Sequence, residues 1–237
     1  MKKICYIIAM HSEARPLIEH FNLRHVPDYF SPLPCQLYRG STGHSELYVV
    51  LNGTQHQRDL VGCEAASVTT MAAIEHLHPD IVISSGTCGA WKRYGAKTGQ
   101  VYLGNGAMFH DRRVPGDNKW GTQGLGNYPV WQGTEALAES LQLPTAKVTT
   151  GSSFDMTAEE ETIIDQNGGR LKEMEGAAVA FVCSLYNKPV LLVKAVTNLR
   201  DAEQEDMTAF QENLHHAATA LTKANARIIA ALAEHDE

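Results

Sequence analysis

Residues 3–13 read Lys3-Ile4-Cys5-Tyr6-Ile7-Ile8-Ala9-Met10-His11-Ser12-Glu13, a short apolar run that stops abruptly at polar residues. With Met1-Lys2-Lys3 ahead of it, the stretch imitates a secretory leader. The run from Ile4 to Met10 is only 7 residues long, however, and it meets His11-Ser12-Glu13-Ala14-Arg15-Pro16 with no small-x-small cleavage pattern. It therefore reads as a first buried β-strand over 3–10 that delivers His11, Ser12 and Glu13 at its carboxyl end. Runs of the same kind recur at 47–51, 80–85, 100–103, 146–150 and 190–196, each of buried-strand length.

Helical periodicity fills the gaps, at 13–21, 59–77, 134–141, 157–167 and 175–187. Near the C-terminus Phe210, Leu214, Ala217, Leu221, Ala224, Ile228 and Leu232 step by three or four and form one apolar stripe. Alternating strands and helices imply an α/β sandwich around a largely parallel or mixed sheet. No repeat, low-complexity tract or Pro/Ser linker divides the chain. The most irregular stretch, 104–133, carries Phe109, Pro115, Trp120, Tyr128, Pro129 and Trp131, more apolar material than linkers hold. It reads as a long functional or interface loop within a single domain, residues 1–237.

Composition narrows the function. The chain has 237 residues, 43% of them hydrophobic, and a net charge of −7. A core is available throughout, and general disorder is excluded. Mild acidity argues against a sequence-independent grip on nucleic acid, and no stretch approaches the roughly 18 apolar residues of a membrane span. The partner is expected to be a small molecule. Cys5, Cys35, Cys63, Cys88 and Cys183 are odd in number, scattered and without a Cys-x-x-Cys, which points to reduced thiols in a cytoplasm. The 11 histidines assemble no metal site: His215 and His216 are adjacent, and His76 and His78 lack a carboxylate or thiol set nearby.

Ligands in such sheets bind beyond the carboxyl ends of the strands. Gly86-Thr87-Cys88-Gly89 follows one strand, where glycine lets backbone N–H groups approach a ligand, although an ordinary strand-to-loop turn would look the same. It is neither a dinucleotide fingerprint nor a P-loop, and Cys88 has no assignable partners as a nucleophile. Glu173 and Glu175 are two apart across a strand-to-helix junction, so at most one is expected to reach a given ligand. Gly176-Ala177-Ala178 places Glu175 beside the core, against the alternative of a solvated helix start. Glu13 reads either as a first-turn helix residue capped by Ser12 or as a site carboxylate.

Together, Ala9-Met10-His11-Ser12-Glu13, Ser85-Gly86-Thr87-Cys88-Gly89, Phe109-His110-Asp111, Gly151-Ser152-Ser153-Phe154, Glu173-Met174-Glu175-Gly176-Ala177-Ala178 and Lys194-Ala195-Val196-Thr197-Asn198 resemble one family. It is the 5'-methylthioadenosine/S-adenosylhomocysteine nucleosidases of the purine nucleoside phosphorylase superfamily. The Gly-Thr-Cys-Gly, His-Asp-Arg-Arg and Met-Glu-Gly-Ala-Ala-Val-Ala wording is closest to its plant-like branch. The resemblance implies a three-layer α/β/α sandwich with a twisted mixed sheet, usually a homodimer, and no metal or organic cofactor. It also implies hydrolysis of the N-glycosidic bond of the nucleoside.

Carried over by position, Glu13 would be the general base for water, with Thr87 and Lys194 nearby, and Glu175 would hold the ribose hydroxyls. Met10 and Met174 would line the ribose and alkylthio region. Phe154 would stack on adenine, the Asp155 backbone would read the base edge, and Cys88 and Gly89 would approach the base through their backbone. Phe210 would close the 5' pocket, with part of Phe109–Pro115 supplied by a neighbouring subunit. One position departs: the family has aspartate, the acid that protonates N7, where this chain has Asn198. A carboxamide copies the acid's shape but cannot give up its proton, so near-normal binding with slowed hydrolysis is expected. The rivals are a nucleoside phosphorylase, disfavoured because Glu13 would repel phosphate, and a nucleoside-binding protein that lost turnover through Asn198. Preference between the two nucleosides stays open.

Overall fold

The computed structural model describes residues 1–114, 118–203 and 206–234. The chain opens with β1 (Lys2–Ile8), α1 (His11–His20), β2 (Arg24–Val26), β3 (Gln36–Ser41) and β4 (Ser45–Leu51). A small hairpin, β5 (Thr54–Gln55) and β6 (Arg58–Asp59), precedes α2 (Cys63–Leu77) and β7 (Ile81–Ala90). Then come β8 (Val101–Phe109), α3 (Asn118–Leu125), α4 (Thr134–Leu141), β9 (Thr145–Thr150) and α5 (Ala158–Gln166). The remainder is β10 (Gly169–Glu173), α6 (Gly176–Leu185), β11 (Val190–Leu199) and α7 (Asp206–Glu234).

Nine strands form one mixed sheet in the order β10-β9-β8-β11-β7-β1-β4-β3-β2. Its centre is parallel, β7 between β1 and β11, and β11 pairs with β8 antiparallel. Period-two alternation sends side chains to two separate cores. Ile4, Tyr6 and Ile8 of β1, Ile81 and Ile83 of β7, and Leu191 and Val193 of β11 pack with α1, α4 and α7. Their neighbours Cys5, Ile7, Val82, Val190 and Leu192 pack with α2 and α6 on the other face. The result is the expected three layers. No helix of the described residues is long and apolar enough to cross a membrane.

The strands run further than expected. β7 extends through Gly86-Thr87-Cys88-Gly89, so this motif lies inside a strand and not in the turn after it, and β11 likewise includes Thr197 and Asn198. Residues 104–133 are not one long loop: β8 continues to Phe109, α3 follows, and Tyr128 bridges back to Ala107. Helix α2 begins at Cys63 rather than 59, because His56 and Gln57 take positive φ (51° and 62°) and turn the β5–β6 hairpin. Strand β10 also pairs with β7 (Leu171 with Ala90, Lys172 with Gly89), closing the sheet on itself at the carboxyl end of β7.

Candidate active site

A cavity of about 280 Å³ opens where this closure gathers strand ends. Ala9 and Met10 enter it after β1, Thr87, Cys88 and Gly89 from β7, Lys172 and Glu173 from β10, and Thr197 and Asn198 from β11. Helix α7 begins over it with Met207 and Phe210, and Phe154 reaches it from the loop after β9.

Three carboxylates define one end. Met10, not Ser12, occupies the N-cap position of α1, and no side chain caps the helix; Glu13 lies in its first turn. Glu13 Oε1 accepts the backbone N–H and the hydroxyl of Thr87, both at 2.7 Å. Gly86 makes the approach possible, since a Cβ there would sit 3.3 Å from Glu13 Oε1. Burial raises the Glu13 carboxyl above its ordinary value, and the hydrogen bonds from Thr87 and the charge of Lys194 offset only part of that.

Glu173 is engaged by protein. Its carboxylate meets Lys194 Nζ at 2.8 Å, with both side chains 2% exposed. It also accepts the Thr150 hydroxyl and the backbone N–H groups of Glu175 (3.1 Å) and Gly176 (2.7 Å). It thereby serves the first N–H groups of α6, where a negative charge is favoured. Burial opposes its charge, but Lys194 and these donors hold it below the usual carboxylate range. Among the described residues, Glu175 accepts the Gly62 N–H alone, at 2.7 Å. Burial, and then the Glu173 charge, push its carboxyl up to about 7. Both glutamates border the cavity, but Glu173 is committed to protein partners and Glu175 is the one with an oxygen left for a ligand.

The other end is made by Gly89, Phe154, Lys172, Asn198, Arg200 and Phe210. A bulge in β11 between Val196 and Asn198 inserts Thr197 against β7 and re-aims Asn198 toward Gly89. A Cβ on Gly89 would lie 2.9 Å from Arg200 Cδ and 3.1 Å from Asn198 Nδ2. The Asn198 carbonyl accepts the Thr197 hydroxyl (3.0 Å), and its Nδ2 donates to Asp206 (2.9 Å). One N–H and one lone pair of the amide remain. The Phe154 and Phe210 rings meet edge-on, centroids 5.6 Å apart. Lys172 donates to the carbonyls of Ser153 (2.8 Å) and Phe154 (3.0 Å), and burial, with Arg200 nearby, lowers it to about 8.

Met10, Glu13, Thr87, Cys88, Gly89, Phe154, Met174, Glu175, Asn198 and Phe210 thus come together on one wall system. Lys194 stands behind Glu173 and does not line the cavity, and Asp155 is exposed outside it. Burial drives the Cys88 thiol far up, which removes it as a nucleophile. Of Phe109–Pro115, Pro115 lies outside the described residues. Sequence reasoning missed Lys172, Arg200, Val61 and Met207. Arg200 lies in the turn just after β11, two residues beyond Asn198, and no periodic signal marked it.

The family model of the phosphorylase superfamily matches residues 3–232. The chain is 38% identical to an Arabidopsis thaliana 5'-methylthioadenosine nucleosidase over 97% of this chain and 86% of that protein. It is 32% identical to an Arabidopsis thaliana 5'-methylthioadenosine/S-adenosylhomocysteine nucleosidase over 95% of this chain and 90% of that one. The solved apo structure of an Arabidopsis thaliana 5'-methylthioadenosine nucleosidase superposes with a TM-score of 0.94 at 37% identity, covering 97% of this chain and 95% of that one.

Proposed function

The chain belongs to the 5'-methylthioadenosine/S-adenosylhomocysteine nucleosidases of the phosphorylase superfamily, and we propose that it hydrolyses the N-glycosidic bond of 5'-methylthioadenosine. The products are adenine and 5-methylthioribose. The observation that carries this reading is Glu13: a buried carboxylate of raised pKa, held on Thr87 at the cavity wall with Glu175 lining the same cavity. Such a group is a fitting base for a water attacking the anomeric carbon. The same carboxylates stabilise positive charge growing on the sugar and disfavour a phosphate nucleophile.

In this reading Glu175 binds the ribose hydroxyls, and Met10 and Met174 flank the ribose and thioether. Phe154 stacks on the base, Asn198 and the backbone of Cys88 and Gly89 face its edge, and Phe210 closes the 5' pocket. Lys194 acts from behind, by fixing Glu173. The Asp155 backbone is assigned to the base edge only on the family pattern. Asn198 binds N7 without protonating it, so turnover is slow and binding is kept. S-adenosylhomocysteine is a second substrate. The whole chain acts as one domain and as a homodimer, a state supported by the exposed apolar side chains Val61, Val68 and Met71 around α2. The free cysteines suit a cytoplasmic setting.

The experiment is adenine release from 5'-methylthioadenosine in phosphate-free buffer. Release of adenine with free 5-methylthioribose is expected. Release that strictly requires phosphate and yields a sugar phosphate would establish phosphorolysis instead.

A further inference from the structure

Arg200 is absent from the family pattern read in the sequence, yet it lines the cavity beside Asn198. Its side chain is 7% exposed. Nη1 pairs with Asp206 at 2.7 Å and stands 3.5 Å from the Phe154 carbonyl, while Nε is buried with no hydrogen-bond partner among the described residues. A buried guanidinium N–H without an acceptor is costly, and Arg200 carries that cost at the cavity wall it lines. The stem crosses Gly89, whose missing side chain leaves it room.

Charge is arranged along the cavity. Glu13 and Glu175 are grouped near Thr87 and Gly62, while Arg200 and Lys172 are grouped around Phe154 and Gly89. Breaking a C1'–N9 bond heterolytically leaves positive charge on the sugar and negative charge on the base, so this polarity runs with the reaction. Resting on the reading that a purine leaves from this cavity, we propose that Arg200 is a catalytic residue that stabilises the negative charge of the departing base, in place of the proton that Asn198 cannot donate. The bond's electron pair passes to N9. Water adds its hydroxyl to C1' and gives its proton to Glu13. The base, held as an anion by the guanidinium, takes its proton from solvent afterwards. Lys172 adds to the field, but two of its protons are committed to backbone carbonyls.

The test compares 5'-methylthioadenosine with a 4-nitrophenyl riboside carrying the same 5'-methylthio group, whose nitrophenolate leaves as a stable anion unaided. In Arg200→Met, kcat for the adenine nucleoside is expected to fall about 10²-fold, with the nitrophenyl riboside within a few fold of the unaltered chain. Arg200→Lys, which keeps the charge but not the fork, is expected to fall between. Arg200→Met/Asp206→Asn removes the carboxylate left unpaired and is expected to show the same leaving-group contrast. Equal losses on both substrates would mean that Arg200 only holds the structure, and no loss on either would mean that it is idle; both overturn the proposal. Absence of adenine release from the unaltered chain would instead remove the nucleosidase reading itself.

Discussion

The amide of Asn198 donates to Oδ1 of Asp206 at 2.9 Å. Arg200 holds the other oxygen of the same carboxylate at 2.7 Å, so one aspartate at the start of α7 ties Asn198 of β11 to Arg200 in the turn just beyond that strand, both lining the cavity. A neutral amide suits this place, because it answers a carboxylate with an N–H. An aspartate at position 198 would face Asp206 directly. Two carboxylates there would repel each other, and Arg200, already paired with Asp206, is placed to offset part of that repulsion.

Glu13→Gln keeps the size and hydrogen-bonding reach of the side chain and removes its basicity. Hydrolysis is expected to fall about 10²–10⁴-fold with substrate binding retained. In the unaltered chain the base is lost by protonation as pH falls. Since burial raises the Glu13 carboxyl, the acid limb of kcat/KM against pH should lie above the ordinary carboxylate range. A limb at or below that range would contradict its assignment.

Glu175→Gln tests the raised carboxyl by stability. In the folded protein this group titrates at about 7, against an ordinary 4.5. Between those values the folded state keeps a proton that the unfolded state has released, so rising pH favours unfolding across the window. The glutamine carries no such penalty. The melting temperature of Glu175→Gln relative to the unaltered chain is therefore expected to rise from pH 5 to pH 8, measured by thermal unfolding. A difference independent of pH would show that Glu175 titrates normally.

Lys194→Met strands the Glu173 charge in the core. Both side chains are 2% exposed, and removing one partner of such a pair costs about 3–5 kcal/mol. Urea unfolding should show a loss of that order, and Glu173→Gln added to Lys194→Met should recover part of it. Additive losses in the double variant would contradict a specific pairing.

Much of this was readable in advance because the central strands are apolar on both faces: β1, β4 and β11 stand out as unbroken runs such as Val190-Leu191-Leu192-Val193. The motifs at their ends led to Glu13, Thr87, Glu175 and Asn198. What was missed has local causes. Arg170-Leu171-Lys172-Glu173 offers a single apolar residue, so β10 gave no strand signal, and Lys172 went unseen with it. The bulge at Thr197 leaves no sequence mark, yet it sets the aim of Asn198. The pairing of Glu173 with Lys194 depends on β10 and β11 converging behind the cavity, a tertiary relationship that no local window contains.

The most direct measurement sets Asn198→Asp beside the unaltered chain, recording methylthioadenosine affinity and the rate of adenine release for each. Affinities within a few fold, with release faster by about 10²–10⁴ in Asn198→Asp, are expected if this cavity cleaves the glycosidic bond and lacks only the acid at the base. No gain in rate at unchanged affinity would contradict the role given to position 198.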